Sequence, residues 1–160
     1  MKTNKFQVNK VNNRLDILAL AECPNCACFN LRKAARAVTH LYDEILRPTG
    51  IRATQFSLLI ATSLLGPMTV TNLAEQGVMD RTTLTRNLKP LEKLGLVKVS
   101  PGSDQRKRII SITRKGQEAL VNALPLWRKA QAHVVKGLGR KRLDSILKDL
   151  SEVVLLTQNN

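Results

Sequence analysis

A dense group of basic residues lies between Arg81 and Lys115, where only Glu92 and Asp104 carry negative charge. The segment has a net charge of +8, more than half of the +14 of the whole 160-residue chain. Charge concentrated in this way predicts an anionic partner: nucleic acid, a membrane surface or an acidic protein. Its ten basic residues are Arg81, Arg86, Lys89, Lys93, Lys98, Arg106, Lys107, Arg108, Arg114 and Lys115.

Three cysteines form a second chemically distinctive group, Cys23, Cys26 and Cys28, in the spacing C-x₂-C-x-C. They offer at most three thiolates, whereas a closed zinc site has four ligands, and His40 and His133 do not lie at a typical ligand spacing from them. Thiolates near a helix N-terminus react with oxidants and thiophilic metals. Three interpretations stay open: a redox or metal-sensing effector site, structural thiols at a dimer interface, or cysteines without a role.

The sequence contains none of the common catalytic motifs: no G-x-S-x-G, no H-E-x-x-H and no glycine-rich phosphate loop. We therefore expect no enzymatic activity and no required cofactor. No apolar run approaches the roughly 18 residues of a membrane span, and the first residues do not resemble a signal peptide. We expect a cytoplasmic protein with no membrane partner, in which the thiols are reduced by default.

The spacing of apolar residues predicts a mainly helical chain. The first long helix should begin at the N-cap Asn30 and end before Pro48 and Gly50. The next helix is apolar nearly all round, which is typical of a buried helix. The predicted helices are Asn30 to about Arg47, Thr54 to Leu65, Val70 to Gln76 capped by Thr69, Arg81 to Leu94 capped by Asp80, Arg114 to Lys136, and a last helix containing Leu143 to Val154, separated from its predecessor by Gly137-Leu138-Gly139.

A change of period after Gly95 predicts a β-hairpin. Leu96–Ser100 and Arg108–Thr113 have the composition of strands, and the turn-rich segment Pro101–Gln105 lies between them. The three consecutive cations after this loop give the hairpin a basic tip.

The order helix, glycine turn, helix and basic hairpin predicts a winged helix-turn-helix that binds double-stranded DNA. In such folds the second helix lies in the major groove, and a basic hairpin can follow the adjacent minor groove. Helical spacing directs Leu84, Leu88, Leu91 and Leu94 to the core. It directs Thr82, Thr85, Arg86, Lys89 and Lys93 to the opposite face, where arginine can bind guanine and threonine can contact bases or phosphates.

These segments together resemble the MarR family of bacterial transcription factors. The segments that carry the resemblance are Thr69-Val70-Thr71-Asn72-Leu73-Ala74-Glu75, Asp80-Arg81-Thr82-Thr83-Leu84-Thr85-Arg86, Leu91-Glu92-Lys93-Leu94-Gly95-Leu96-Val97, Asp104-Gln105-Arg106-Lys107-Arg108 and Ile112-Thr113-Arg114-Lys115-Gly116. The resemblance covers about residues 28–157. It implies a homodimer built from the first and last helices, and a wing in which Asp104 steadies the loop while Arg106 reaches the minor groove.

The resulting prediction is one structural domain with three parts. Residues 1–28 form an N-terminal arm with the cysteines, residues 29–53 and 114–160 form dimerisation helices, and residues 54–113 form the DNA-binding lobe. The predicted DNA-contacting residues are Thr69, Thr71, Arg81, Thr82, Thr83, Thr85, Arg86, Lys89, Asp104, Arg106, Lys107 and Arg108. Pro90 departs from helical chemistry, because an interior proline costs about 3 kcal/mol, and we expect a kink between Arg86 and Lys89.

The function predicted is a regulator that binds an inverted-repeat operator, as a repressor released by a small molecule, a metal or an oxidant. Trp127, Tyr42 and Phe56 are candidates either for an effector pocket or for ordinary core. Two other functions are compatible with the composition: a basic RNA- or ribosome-binding module, and a metal or redox protein with incidental DNA affinity. The five aromatic residues of the chain argue against the RNA module, since RNA-binding proteins stack bases on exposed aromatics.

Overall fold

The computed structural model describes residues 17–104 and 106–158, and it confirms a mainly helical fold with a small antiparallel sheet. The described residues divide within one long helix, between Val38 and Thr39, into two compact units. The helices are α1 (Ile17–Glu22), α2 (Ala27–Leu46), α3 (Ala53–Leu65), α4 (Val70–Gln76), α5 (Arg81–Lys93), α6 (Arg114–Leu138) and α7 (Arg140–Gln158); the strands are β1 (Met68–Thr69), β2 (Val97–Pro101) and β3 (Arg108–Ile112).

The first unit contains α1, a short 3₁₀-helix at Cys23–Asn25 and the beginning of α2. Residues 1–16 of the predicted N-terminal arm lie outside the described residues. The prediction of Asn30 as the N-cap of α2 was wrong, because the helix begins three residues earlier. The Asn30 side chain instead donates hydrogen bonds back to the carbonyls of Pro24 and Cys26, at 2.7 and 2.9 Å.

The second unit opens with a tight connection between α2 and α3. Gly50 ends the 3₁₀-turn Arg47–Thr49 with φ +69°, a left-handed conformation that favours glycine. The Asp43 carboxylate then accepts a hydrogen bond from the backbone N–H of Ala53, the first residue of α3, at 2.6 Å. This bond satisfies one of the amide groups that a helix N-terminus leaves without an intrahelical partner.

Helix α3 is buried over its first part, where Phe56, Leu58 and Leu59 enter the core. Its last two residues depart from the prediction of an entirely buried helix, since Leu64 is 79% exposed and Leu65 is 53% exposed. The helix ends at Gly66, as predicted, with φ +74°.

The sheet has the strand order β1-β3-β2, and both pairings are antiparallel. The hairpin register places Val97 opposite Ile112 and Pro101 opposite Arg108, close to the predicted strands. Strand β1 was not predicted, because two residues are too few to show an alternating pattern. It pairs Met68 with Ile110 and thereby joins the start of the helix-turn-helix to the hairpin.

The core of this unit lies between α3, α4, α5, the sheet and α6. Phe56 is buried and stacks on the half-buried Trp127 with 6.3 Å between ring centroids, so both rings pack in the core. The Tyr42 hydroxyl donates a hydrogen bond to Gln131 of α6, and burial raises the pKa of Tyr42. The fully buried large side chains are Leu46, Leu59, Leu73, Leu84, Leu91, Ile110 and Thr62.

Helix α6 is continuous through Pro125 and extends to Leu138. The predicted three-residue separator is therefore reduced to Gly139, whose φ of +81° turns the chain into α7. No helix in the described ranges combines the length and the hydropathy that a membrane span needs.

The start of α6 packs directly on the hairpin through Gly116, which is buried. A Cβ atom at this position would lie 2.0 Å from the carbonyl oxygen of Leu96 and 2.8 Å from Cγ1 of Ile112. The same Leu96 carbonyl accepts the backbone N–H of Thr113 at 3.0 Å. The absence of a side chain at Gly116 thus allows the helix to begin immediately beside the wing.

Candidate nucleic-acid interface

The helix-turn-helix begins at Thr69, whose hydroxyl accepts the backbone N–H of Asn72 at 3.0 Å and caps α4 as predicted. Leu73 and Ala74 of this helix are buried, so α4 is fixed to the core along one side. Thr71 lies on the exposed side and Thr69 is half-buried. The structure therefore leaves Thr71 available at the surface, while the hydroxyl of Thr69 already serves the helix.

The turn between the two helices contains an unusual backbone conformation. Gly77 was predicted to supply the turn, but its φ is −86°, an ordinary value. The left-handed residue is Val78, with φ +49°, and it is the sole non-glycine residue with positive φ in the described ranges. A β-branched residue in this region is a genuine outlier, so the turn is held in a strained conformation by its surroundings.

Asp80 caps α5, with its carboxylate 2.8 Å from the backbone N–H of Thr83. Hydrogen bonds from the Thr83 hydroxyl and from this N–H lower the pKa of Asp80. Because its backbone N–H is bonded to Asp80 and its side chain is half-buried, Thr83 contributes to the cap rather than to the exposed face.

The exposed face of α5 forms one shallow concave surface. Leu84, Leu88 and Leu91 are buried, as predicted, and hold the helix against the core. Leu94 is 45% exposed, so its predicted place in the core was wrong; it lies after the end of the helix. The residues that line the surface are Arg81, Thr82, Thr85, Arg86 and Lys89.

Helix α5 continues past Pro90 to Lys93, and the Pro90 carbonyl accepts the backbone N–H of Leu94 at 3.0 Å. The proline therefore does not end the helix. Lys93 lies outside the group of five residues that share the concave surface.

Three hydrogen bonds between described residues tie the wing loop between β2 and β3. The backbone N–H of Gly102 donates to the Lys107 carbonyl at 2.8 Å, and that of Lys107 donates to the Asp104 carbonyl at 2.8 Å. The Asp104 carboxylate accepts the backbone N–H of Arg106 at 3.0 Å. Asp104 is thus placed to hold the loop, while the side chains of Arg106, Lys107 and Arg108 are exposed.

The predicted contact set includes six basic residues, and their surroundings decide whether their charge is free to bind a ligand. None of the six basic residues of the predicted contact set forms an ion pair with a carboxylate in the described part of the chain. Their charge is therefore available to an external anion.

Asn72, which is absent from the predicted contact set, lies on the exposed side of α4. Its side-chain oxygen accepts a hydrogen bond from the Thr69 hydroxyl at 2.8 Å. This bond orients the amide and leaves its NH₂ group to donate elsewhere. An asparagine three residues after a threonine cap, on the polar side of a short helix, was the available signal.

The cysteines lie in the first unit, where all three are free thiols on the exposed surface of the single chain. Cys23 and Cys26 are joined by a turn in which the backbone N–H of Cys26 donates to the Cys23 carbonyl at 3.0 Å, and Cys28 is the second residue of α2. Within residues 17–104 and 106–158, no group of His, Cys, Asp or Glu side chains is arranged to hold a metal ion.

Comparison with known proteins identifies the family. The family model described as "MarR family" matches residues 51–109, from the start of α3 to the wing. The organic hydroperoxide resistance transcriptional regulator of Bacillus subtilis is 31% identical over 114 residues, covering 71% of this chain and 69% of that protein. This chain belongs to the MarR family.

Two further comparisons, one with a solved structure and one with a sequence, give the extent of the similarity. The crystal structure of the M. tuberculosis transcriptional regulator MosR in complex with DNA is 41% identical, with a TM-score of 0.73, and the match covers 82% of this chain and 98% of that one. The HTH-type regulator YwoH of B. subtilis is 28% identical over 55% of this chain. That match spans 64% of YwoH, slightly less than two thirds of its length.

Proposed function

We propose that this MarR-family transcriptional regulator is a repressor that binds double-stranded DNA, with α5 in the major groove and the β2–β3 hairpin at the adjacent minor groove. The observation that carries the proposal is the surface of α5, on which Arg81, Arg86 and Lys89 surround two threonines and no carboxylate. Cations with hydrogen-bonding neutral residues between them suit both phosphates and base edges. The crystal structure of MosR in complex with DNA supports DNA as the partner.

The regulator acts in this proposal as a homodimer in the cytoplasm. Residues 29–53 and 114–160 form its dimerisation helices, and residues 54–113 form its DNA-binding lobe. An apolar stripe on α7 supports the dimer: Leu143 is buried, but Leu147, Leu150, Val153 and Val154 are exposed in the single chain. Contiguous exposed apolar residues of this kind mark interaction surfaces. Light scattering at micromolar concentration should give about twice the chain mass of 17.8 kDa, and a monomer would contradict the proposal.

A two-fold dimer predicts the form of the operator. Two α5 helices that enter successive major grooves lie about 34 Å apart, which requires an inverted repeat with half-sites centred one helical turn apart. If about three cations per subunit contact phosphates, about six counterions are released and the log–log salt slope is near −5. A gel-shift titration over a salt series tests both features. A slope near −1, or equal affinity for a palindromic and a scrambled duplex, would contradict specific operator binding.

Release from DNA is proposed to respond to an effector, and the exposed thiols favour an oxidant over a metal or another small molecule. The hydroperoxide-resistance regulator of B. subtilis is consistent with this choice. A hydroperoxide would oxidise one thiol to a sulfenic acid and leave as the alcohol; a second thiol would then condense with the sulfenic acid to a disulfide and release water. Cys23 and Cys26 are three residues apart, and the backbone hydrogen bond of the turn joins one to the other.

The response is tested by comparing the wild type with a variant in which Cys23, Cys26 and Cys28 are all serine. Cumene hydroperoxide should weaken wild-type binding to a selected duplex, and dithiothreitol should restore it. The variant should bind the duplex with or without the peroxide. A variant that still responds normally would show that these thiols are structural or without a role.

A further inference from the structure

The Thr85 hydroxyl is already committed to a hydrogen bond within the protein. Its oxygen lies 2.7 Å from the backbone carbonyl oxygen of Arg81, one turn earlier in α5. A carbonyl group has no proton to donate, so the threonine is the donor of this bond. Toward an external ligand, Thr85 is left with its methyl group and the remaining lone pairs of an oxygen that points back along its own helix.

Thr85 also occupies the middle of the concave surface on α5. Residues three and four positions apart are neighbours on a helix, so Thr85 has Arg81 and Thr82 on one side and Lys89 on the other. The outer cations are suited to phosphates, whereas the central residue faces the position where a base edge lies in a helix-turn-helix complex. The centre of the surface is therefore apolar and uncharged within a basic rim.

The four bases differ in what they present to such a group. Guanine presents two acceptors in the major groove, which require a donor that Thr85 has already used. Adenine and cytosine present an amino donor, which would need the lone pairs that are turned toward the helix. Thymine presents the 5-methyl group, the single apolar feature of the major groove, and it can pack against the threonine methyl.

We propose that Thr85 is a specificity-determining residue that recognises thymine by methyl–methyl contact at one position of each operator half-site. The inference rests on the proposed binding of double-stranded DNA through α5. It adds the identity of one base and the group that recognises it.

The experiment begins with duplexes selected by the wild-type protein from a random pool. Each thymine of a selected duplex is then replaced in turn by deoxyuridine, which removes only the methyl group. One thymine per half-site should be sensitive, with a loss of about fourfold per half-site, the equivalent of exposing one buried methyl group. The paired variants are Thr85→Val, which keeps the methyl and removes the hydroxyl, and Thr85→Ser, which does the reverse.

Thr85→Val should bind within about twofold of the wild type and keep the deoxyuridine sensitivity. Thr85→Ser should lose about fourfold per half-site on the thymine duplex and show no further loss with deoxyuridine. Thr54→Ser, at an exposed threonine of α3 outside the predicted contact set, is the matched control and should keep the sensitivity. Loss of base preference in the valine variant but not in the serine variant, or a wild type indifferent to every deoxyuridine, would overturn the inference while DNA binding stood. Failure of the wild type to select any duplex would overturn the proposed function and the inference together.

Discussion

The close packing at Gly116 makes a quantitative prediction about the attachment of the wing. Replacing Gly116 with alanine places a Cβ 2.0 Å from the Leu96 carbonyl oxygen, 2.8 Å from Cγ1 of Ile112 and 3.0 Å from the Leu96 carbonyl carbon. The nearest of these atoms belongs to the backbone, so it cannot move aside by a change of rotamer. The helix must shift away from the hairpin, or the hairpin from the helix.

Two costs and one gain decide how much the free energy of unfolding changes. Overpacking of a buried site costs about 1–3 kcal/mol, and the shift also weakens the bonds that the Leu96 carbonyl accepts from Thr113 at 3.0 Å from the backbone N–H and 3.1 Å from the hydroxyl. Each such bond contributes about 0.5–1.5 kcal/mol. Alanine recovers about 0.5–1 kcal/mol over glycine in a helix. The free energy of unfolding should therefore fall by about 2–4 kcal/mol.

Gly137 provides a matched control in the same helix. Apart from its chain neighbours and the backbone of its own helix, no described residue has a heavy atom within 4 Å of the position that a Cβ would take there, so Gly137→Ala changes helix propensity alone. We expect it to raise the free energy of unfolding by about 0.5–1 kcal/mol, opposite in sign to Gly116→Ala. The pair separates the close approach at Gly116 from any general effect of alanine in α6.

Urea unfolding followed by circular dichroism measures both variants against the wild type. All samples need the same chain concentration, because the stability of the proposed dimer would depend on concentration. For a chain of this length each kcal/mol corresponds to about 2–4 °C in Tm, so Gly116→Ala should melt about 4–16 °C lower. Equal unfolding midpoints for the two variants would refute the packing described at Leu96.

Three further predictions concern the DNA-binding lobe. Arg86→Ala should relax base preference and Arg106→Ala should weaken binding to sites with A·T-rich flanks, each by about 1–3 kcal/mol in gel-shift titrations; normal binding by both would rule out the proposed docking. Val78→Gly should raise the free energy of unfolding by up to about 1 kcal/mol, because it relieves a left-handed strain of about 1–2 kcal/mol and this exceeds the cost of the added chain entropy. Gly77→Ala should bring no such gain. A destabilised Val78→Gly variant would show that the strain is absent. Because the pKa of Asp80 is lowered in the folded protein, its cap contributes its full stability above the ordinary aspartate pKa of 3.8 and loses it as the pH falls through the lowered pKa. Asp80→Asn should remove this part of the loss of stability in acid. A pH dependence of the free energy of unfolding that is unchanged in acid would contradict the cap.

Local patterns predicted most elements of this chain because each signal lies within a few residues. The threonine and aspartate caps fixed the starts of α4 and α5, and the leucine spacing identified the buried side of α5. The errors occurred where local signals competed or were too short. Asn30 has a side chain that suits an N-cap, but it lies inside α2 and donates to the carbonyl of Cys26, earlier in the chain. Strand β1 has only two residues, too few for a pattern.

The three-dimensional structure decided what the individual side chains can do, even within one helix. Three threonines of α5 have the same chemistry in the sequence, but Thr83 is half-buried beside the Asp80 cap and the Thr85 hydroxyl is bonded to the Arg81 carbonyl. Thr82 makes no side-chain hydrogen bond among the described residues, so the three differ in what they can offer a base. Likewise, no pattern distinguished Gly116, which has no room for a side chain, from Gly137, which has open space.

The sequence by itself determined the order of the elements, the basic surface and the membership of the MarR family, because periodicity, caps and charge are properties of neighbouring residues. Only the tertiary structure showed that the left-handed turn residue is Val78 rather than Gly77, and that the wing is fastened to α6 at Leu96. Backbone torsions and close contacts depend on residues that are distant in the chain. Their spacing in sequence therefore carries no record of them.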